Sequence, residues 1–181
     1  MTHQLNYVIF NTDAGWVGIL GSARGLLRTT LPQPSAREAQ QLLGAINDAT
    51  WSSHLFNDLV ERLKVYFRGH RTAFPDELDL SRATAFQREV WGVTRLIPYG
   101  ETRSYAWVAE QIKQPGAVRA VGQALGRNPL PVIVSCHRVV ASDGRLGGFS
   151  GGRKWKSYLL NLEAATVRDC HALHPSPKGE G

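Results

Sequence analysis

One cysteine, Cys136, stands between the apolar run Pro131-Val132-Ile133-Val134 and the pair His137-Arg138, in the stretch PVIVSCHRVVASDGRLGGFSGG. The thiolate is the reactive form of cysteine, and a neighbouring imidazole or guanidinium lowers a thiol's pKa, so these residue types suit nucleophilic attack. A cysteine in an apolar run is equally at home in a core, because free cysteine is among the most buried residue types. Adjacent side chains on a regular strand point to opposite faces. For His137 to serve Cys136, either the chain turns at the cysteine or a water bridges thiol and imidazole. An oriented imidazole also needs a third group. In KWKSYLLNLE, Trp155, Tyr158, Leu159 and Leu162 form an apolar helical stripe, and Glu163 lies on its edge, where a partly buried carboxylate would hold the imidazole from behind. As a lone feature Glu163 also fits a solvated helix position.

A second set of residues suits nucleic acid. On a helical wheel over AVRAVGQAL and the residues after it, Val118, Val121 and Leu125 share one side; Ala117, Arg119, Ala120, Gln123, Ala124 and Arg127 share the other. Small side chains permit close approach to a groove, and an arginine among them can contact phosphate or replace a displaced base. Alanines on an exposed helix that merely raise helix propensity are the plainer alternative.

These residues need elements to hold them. YVIFNTDAGWVGILGSARGLLRTTLP reads as an antiparallel meander over residues 7 to 31, and FNDLVERLKVYF as a helix stopped at Gly69. Residues 69 to 82 read as a linker. Thr84 with Gln87 is a capping box for a helix burying Phe86, Val90, Val93 and Ile97, ended by Pro98 and Gly100. SYAWVAEQI and AVRAVGQAL, separated by KQPG, have helix-turn-helix spacing. The expected fold is α+β: a small N-terminal antiparallel sheet with a helix, then a mainly helical region with a helix-turn-helix and a short strand carrying Cys136. The expected domains are residues 1–80 and 81–165, with 166–181 a disordered tail.

Composition narrows the class. The 181 residues are 43% hydrophobic and include five tryptophans, enough for a sizeable core. No run approaches the roughly 20 apolar residues a membrane span needs. Two cysteines are too few for a disulfide scaffold, so reduced thiols in the cytoplasm are expected. The net charge of +6 is concentrated in residues 101 to 160, which carry nine Lys or Arg against three acids. That points to a polyanionic partner.

NPLPVIVSCHRVV followed by GGFSGG, with YGETRSYAWVAEQI and VRAVGQALGRNPLP in order upstream, resembles the O6-alkylguanine-DNA alkyltransferases over residues 84 to 163. The resemblance implies single-turnover transfer of an alkyl group from O6-alkylguanine, and from O4-alkylthymine, in double-stranded DNA to the protein's own cysteine. Cys136 resembles the acceptor, His137 the base acting through a water, Glu163 the carboxylate behind it and Asn128 the hinge asparagine. Tyr105 matches the tyrosine that rotates the phosphate and donates toward guanine N3. Arg119 matches the arginine finger, with Ala120, Gly122, Gln123 and Arg127 on the DNA face. Leu125, Val139, Phe149, Ser150, Gly151 and Lys156 match the substrate pocket. Minor-groove approach, base flipping and a monomer are implied, with no metal, cofactor or membrane.

Three departures stand out. Ser135 replaces the family's proline before the cysteine, which removes a backbone restriction. Phe149 replaces a tyrosine at the pocket wall. The zinc-ligating cysteines of some relatives are missing, and CHALH at 170 to 174 offers incomplete ligation in the expected tail. Rivals from other classes are a damage-recognition protein that flips without repairing, disfavoured by the retained Cys136, and a helix-turn-helix regulator, disfavoured by the lack of base-reading side chains around Arg119. A thiol hydrolase is weaker still, because no oxyanion hole is identifiable.

Overall fold

A computed structural model describes residues 4–44 and 46–173. The meander is present as β1 (Leu5–Thr12), β2 (Gly15–Ser22) and β3 (Gly25–Thr29), paired antiparallel. Gly15 makes the first turn possible: its φ of +131° belongs to glycine, and a Cβ there would lie 2.7 Å from the Gln33 carbonyl oxygen. The sheet is not purely antiparallel, however. A short strand β4 (Ala49–Trp51) adds to β1 in parallel, giving the order β3-β2-β1-β4. Three residues are too few to show an alternating pattern in sequence.

Two helices flank the sheet. Helix α1 (Ala36–Leu43) was not expected, although Ser35 caps it by accepting from the Glu38 amide, and Ala39 and Leu43 are buried. With Ile9, Leu20 and Ile46 they form a separate apolar cluster. Helix α2 (Asn57–Phe67) buries Leu59, Val60, Leu63, Tyr66 and Phe67, the apolar spacing the sequence displays.

The second half is helical as expected. Helix α3 (Ala85–Thr94) has the complete Thr84–Gln87 capping box, buries Val90, Trp91 and Thr94, and ends a turn before Ile97, which is buried beyond the helix. Strand β5 (Arg103–Ser104) leads directly into α4 (Tyr105–Gln111), and α5 (Val118–Gly126) completes the helix-turn-helix. The α5 wheel needs two corrections: Val118, in the first turn, is 39% exposed, and Ala124, expected on the outer face, is buried with Val121 and Leu125. Trp91 fixes that side by donating its indole N–H to the Ala124 carbonyl at 2.9 Å.

The strand expected to carry the cysteine does not form. Pro131 to Val134 is irregular, and Cys136–Arg138 is a 3₁₀ turn followed by the two-residue strand β6 (Val139–Val140), which pairs in parallel with β5. The apolar content of this run reflects burial, which periodicity cannot distinguish from a strand. Helix α6 (Arg153–Leu173) continues into the expected tail, because Thr166 donates to the Gly69 carbonyl and accepts from the Tyr99 hydroxyl. The rest of the tail, including His174, lies outside the described residues. One apolar cluster runs across residue 80, joining Val8, Phe10, Leu63 and Tyr66 to Val90, Val121, Cys136 and Leu159.

Candidate active site

The chain turns at the cysteine, so the first of the two sequence alternatives holds for the backbone. Cys136 is 2% exposed, and its sulfur accepts from Asn128 Nδ2 at 3.0 Å. The same Nδ2 donates to the Val134 carbonyl, while Asn128 Oδ1 accepts from the Leu130 amide, so one buried side chain ties the end of α5 to the cysteine turn. Ser135 takes φ −76°, a value proline would also adopt, and its hydroxyl donates to the Thr94 carbonyl at 3.0 Å. The hydroxyl tethers the turn to α3 where the family uses a ring. Burial pushes the Cys136 thiol up to about 11, against the opposing pull of the Asn128 hydrogen bond and the Lys156 charge.

His137 and Glu163 meet behind the thiol. Glu163 Oε2 lies 3.0 Å from His137 Nε2, and both residues are buried. Facing a carboxylate, Nε2 carries the proton; Nδ1 is then the acceptor, and it is a buried polar atom without a protein partner among the described residues. Burial lowers the pKa of His137, so the imidazole is neutral at pH 7. Glu163 is held below its ordinary pKa by hydrogen bonds and charge from His137 and Arg138, which outweigh its burial. Here the sequence reading of Arg138 is corrected. Its guanidinium does not serve the thiol; it binds both Glu163 oxygens and donates to the Ile97 carbonyl at 2.7 Å. Sequence reasoning missed Tyr66, whose hydroxyl is 3.5 Å from His137 Nε2.

Lys156 is also fully buried, and it takes the inward place expected of Tyr158, which is 40% exposed. Its ammonium donates to the Val139 carbonyl at 2.6 Å and to the Tyr105 hydroxyl and Gly148 carbonyl, each at 3.3 Å. Burial lowers its pKa to about 8. Tyr105 also reaches the Gly148 carbonyl, at 3.4 Å, so both side chains fasten the glycine loop at the same point. Phe149 packs against the core, and a Cβ at Gly151 would overlap Leu31. Ser150 and Gly151 line a crevice of about 540 Å³ that also reaches Asn128, Pro131 and Arg127. Leu125 is a core residue.

On α5, Arg119, Ala120, Gln123 and Arg127 are exposed together, and Gly122 lies against the Tyr105 ring. Among the described residues, no group of three His, Cys, Asp or Glu is placed to hold a metal ion, and no helix is long and apolar enough to cross a membrane.

A shielded thiol beside a carboxylate-held imidazole, packed under a helix-turn-helix with a small basic outer face, defines a nucleic-acid-directed acceptor of a transferred group. Comparison with known proteins agrees. Residues 85–165 match the family described as 6-O-methylguanine DNA methyltransferase, DNA binding domain. A methylated-DNA–protein-cysteine methyltransferase of Mycolicibacterium paratuberculosis is 52% identical over 114 residues, covering 63% of this chain and 68% of the relative. One from Methanosarcina acetivorans is 34% identical over 159 residues, covering 88% and 98%. The crystal structure of Mycobacterium tuberculosis OGT in complex with DNA superposes with a TM-score of 0.75 at 40% identity, covering 89% of this chain and 94% of that one. The chain belongs to the methylated-DNA–protein-cysteine methyltransferase family.

Proposed function

We propose that the protein repairs O6-alkylguanine, and O4-alkylthymine, in duplex DNA by moving the alkyl group irreversibly onto Cys136. It acts as a cytoplasmic monomer and approaches from the minor groove. The division of labour follows a domain boundary near residue 80, with the DNA face and the thiol on the C-terminal side. One observation carries the assignment: a thiol held by Asn128 next to a histidine whose Nε2 is fixed on Glu163 and whose Nδ1 alone lacks a protein partner.

The alkyl carbon is inaccessible in a stacked duplex, so the nucleotide is flipped out at a cost of a few kcal/mol, offset in part by Arg119 entering the stack. The base enters when the loop at Gly147 and Gly148 leaves Tyr105 and Lys156. A thiol with a pKa of about 11 is unreactive at pH 7, so His137 Nδ1 takes its proton through a water. The Asn128 amide and Lys156 ammonium stabilise the thiolate. Sulfur bonds to the alkyl carbon as the carbon–O6 bond breaks, and the electron pair passes to guanine. Tyr105 gives its proton to N3 and regains one from Lys156, and Ser150 donates to O6. The thioether product is not a leaving group, so each molecule acts once.

Intact-mass measurement after incubation with a duplex holding one O6-methylguanine tests this, beside Cys136→Ser. A single methyl gain on the Cys136 peptide, absent in the variant, is expected. Tight lesion binding without a mass change refutes repair and leaves a recognition protein.

A further inference from the structure

The segment between Asn128 and Cys136 contains an anomaly. Val132, β-branched and 3% exposed, has φ +73°, a left-handed backbone that such residues avoid. Residues held this way cost about 1–3 kcal/mol and persist only where their surroundings over-determine them. The surroundings here come from both halves of the molecule. Asn128 secures Val134 on one side. On the other, Thr29 at the end of β3 donates its amide to the Pro129 carbonyl at 3.1 Å and its hydroxyl to the Pro131 carbonyl at 3.0 Å. Thr29 is 4% exposed and is separated from Pro131 by 102 positions in sequence. A buried carbonyl that loses its donor is penalised, so Pro131 is fastened to the sheet as long as Thr29 keeps its hydroxyl.

We infer that Thr29 is a positioning residue for the transfer: the N-terminal sheet, through its hydroxyl, holds the Pro129–Val132 segment in the strained conformation that keeps the Cys136 sulfur on Asn128. The inference rests on Cys136 being the acceptor.

A protein that reacts once separates folding from positioning, because the amount alkylated at completion counts competent molecules while the rate constant reports geometry. Thr29→Val, Thr29→Ser and Leu43→Ala are compared with the wild type, using the O6-methylguanine duplex and a free O6-alkylguanine base. Leu43 lies in the separate cluster under α1. Thr29→Val should slow transfer at least tenfold on both substrates with duplex affinity unchanged, and Thr29→Ser should stay within twofold of the wild type. Leu43→Ala should lose amplitude on warming but keep its rate constant. Partial misfolding of Thr29→Val lowers only the amplitude. A Thr29→Val rate constant within twofold of the wild type overturns the inference, as does equal slowing in Thr29→Ser. Absence of transfer in the wild type would instead sink the function itself.

Discussion

Residues 4 to 80 and residues 128 to 163 bury polar groups in opposite ways. Among its described residues, the first region buries no charged side chain, only the hydroxyl-bearing Thr12, Thr29, Thr30 and Tyr66. The second buries Asn128, Ser135, His137, Arg138, Lys156 and Glu163 within 36 positions, and three of them, Arg138, Lys156 and Glu163, carry charge at neutral pH. Removing ions from water is unfavourable unless each is paired and hydrogen-bonded. The sheet region therefore supports the site with neutral hydroxyls, while the site region accepts a desolvation penalty to hold groups that move protons.

The largest expected effect tests the second half of that contrast. Glu163→Gln removes the orienting charge from His137 and leaves the Arg138 guanidinium buried without a counter-charge. We expect transfer to fall by two orders of magnitude or more, with a stability loss of about 3–5 kcal/mol in chemical denaturation. Unchanged transfer would remove Glu163 from the relay. Leu43→Ala tests the first half. Emptying the cluster under α1 should cost about 2–5 kcal/mol while duplex affinity stays the same. A loss of affinity would show that the sheet does more than support.

Acid should separate the regions too. His137 has a depressed pKa, so below its ordinary value of 6.5 the unfolded chain binds a proton that the folded chain refuses, and stability falls with pH. Glu163, also depressed, contributes stability that is present above its ordinary 4.5 and is lost as pH falls through its folded value. Melting temperature should drop from pH 7 to pH 5 in the wild type and in Leu43→Ala alike, and drop more in Glu163→Gln, because loss of the carboxylate that raises the His137 pKa deepens its depression; parallel curves in all three would place the acid sensitivity elsewhere. The smallest effect concerns Ser135. Ser135→Ala loses the bond to the Thr94 carbonyl, which still accepts from the Ile97 amide, so about 0.5–1.5 kcal/mol is expected from denaturation midpoints.

The contrast also governs what sequence could reveal. Cys136, His137 and Glu163 were legible because their residue types are unusual where they stand: a thiol and an imidazole in an apolar run, and a carboxylate beside an apolar stripe. The Thr84–Gln87 box and the two helices after it were legible for a local reason, since caps and helical periods repeat over a few residues. Long-range partners were not. Arg138 reaches Glu163 across 25 positions and Thr29 reaches Pro131 across 102, and no local pattern encodes either. Lys156 was placed at the pocket by resemblance alone, and the three acceptors that draw it inside come from other segments of the chain. Helix α1 did carry a signal, Ser35 three residues before Glu38, but few apolar residues accompany it.

The burial of Cys136 has a consequence for the protein while it waits for damage. A molecule that works once is lost to any oxidant or electrophile that reaches its sulfur first. A neutral thiol, 2% exposed and capped by an amide donor, is a poor target for peroxide or iodoacetamide, whereas Cys170 lies exposed on α6. Stray electrophiles should therefore mark Cys170 near the far end of the last helix and leave the acceptor intact, so the burial of Cys136 sets the lifetime of the unreacted protein.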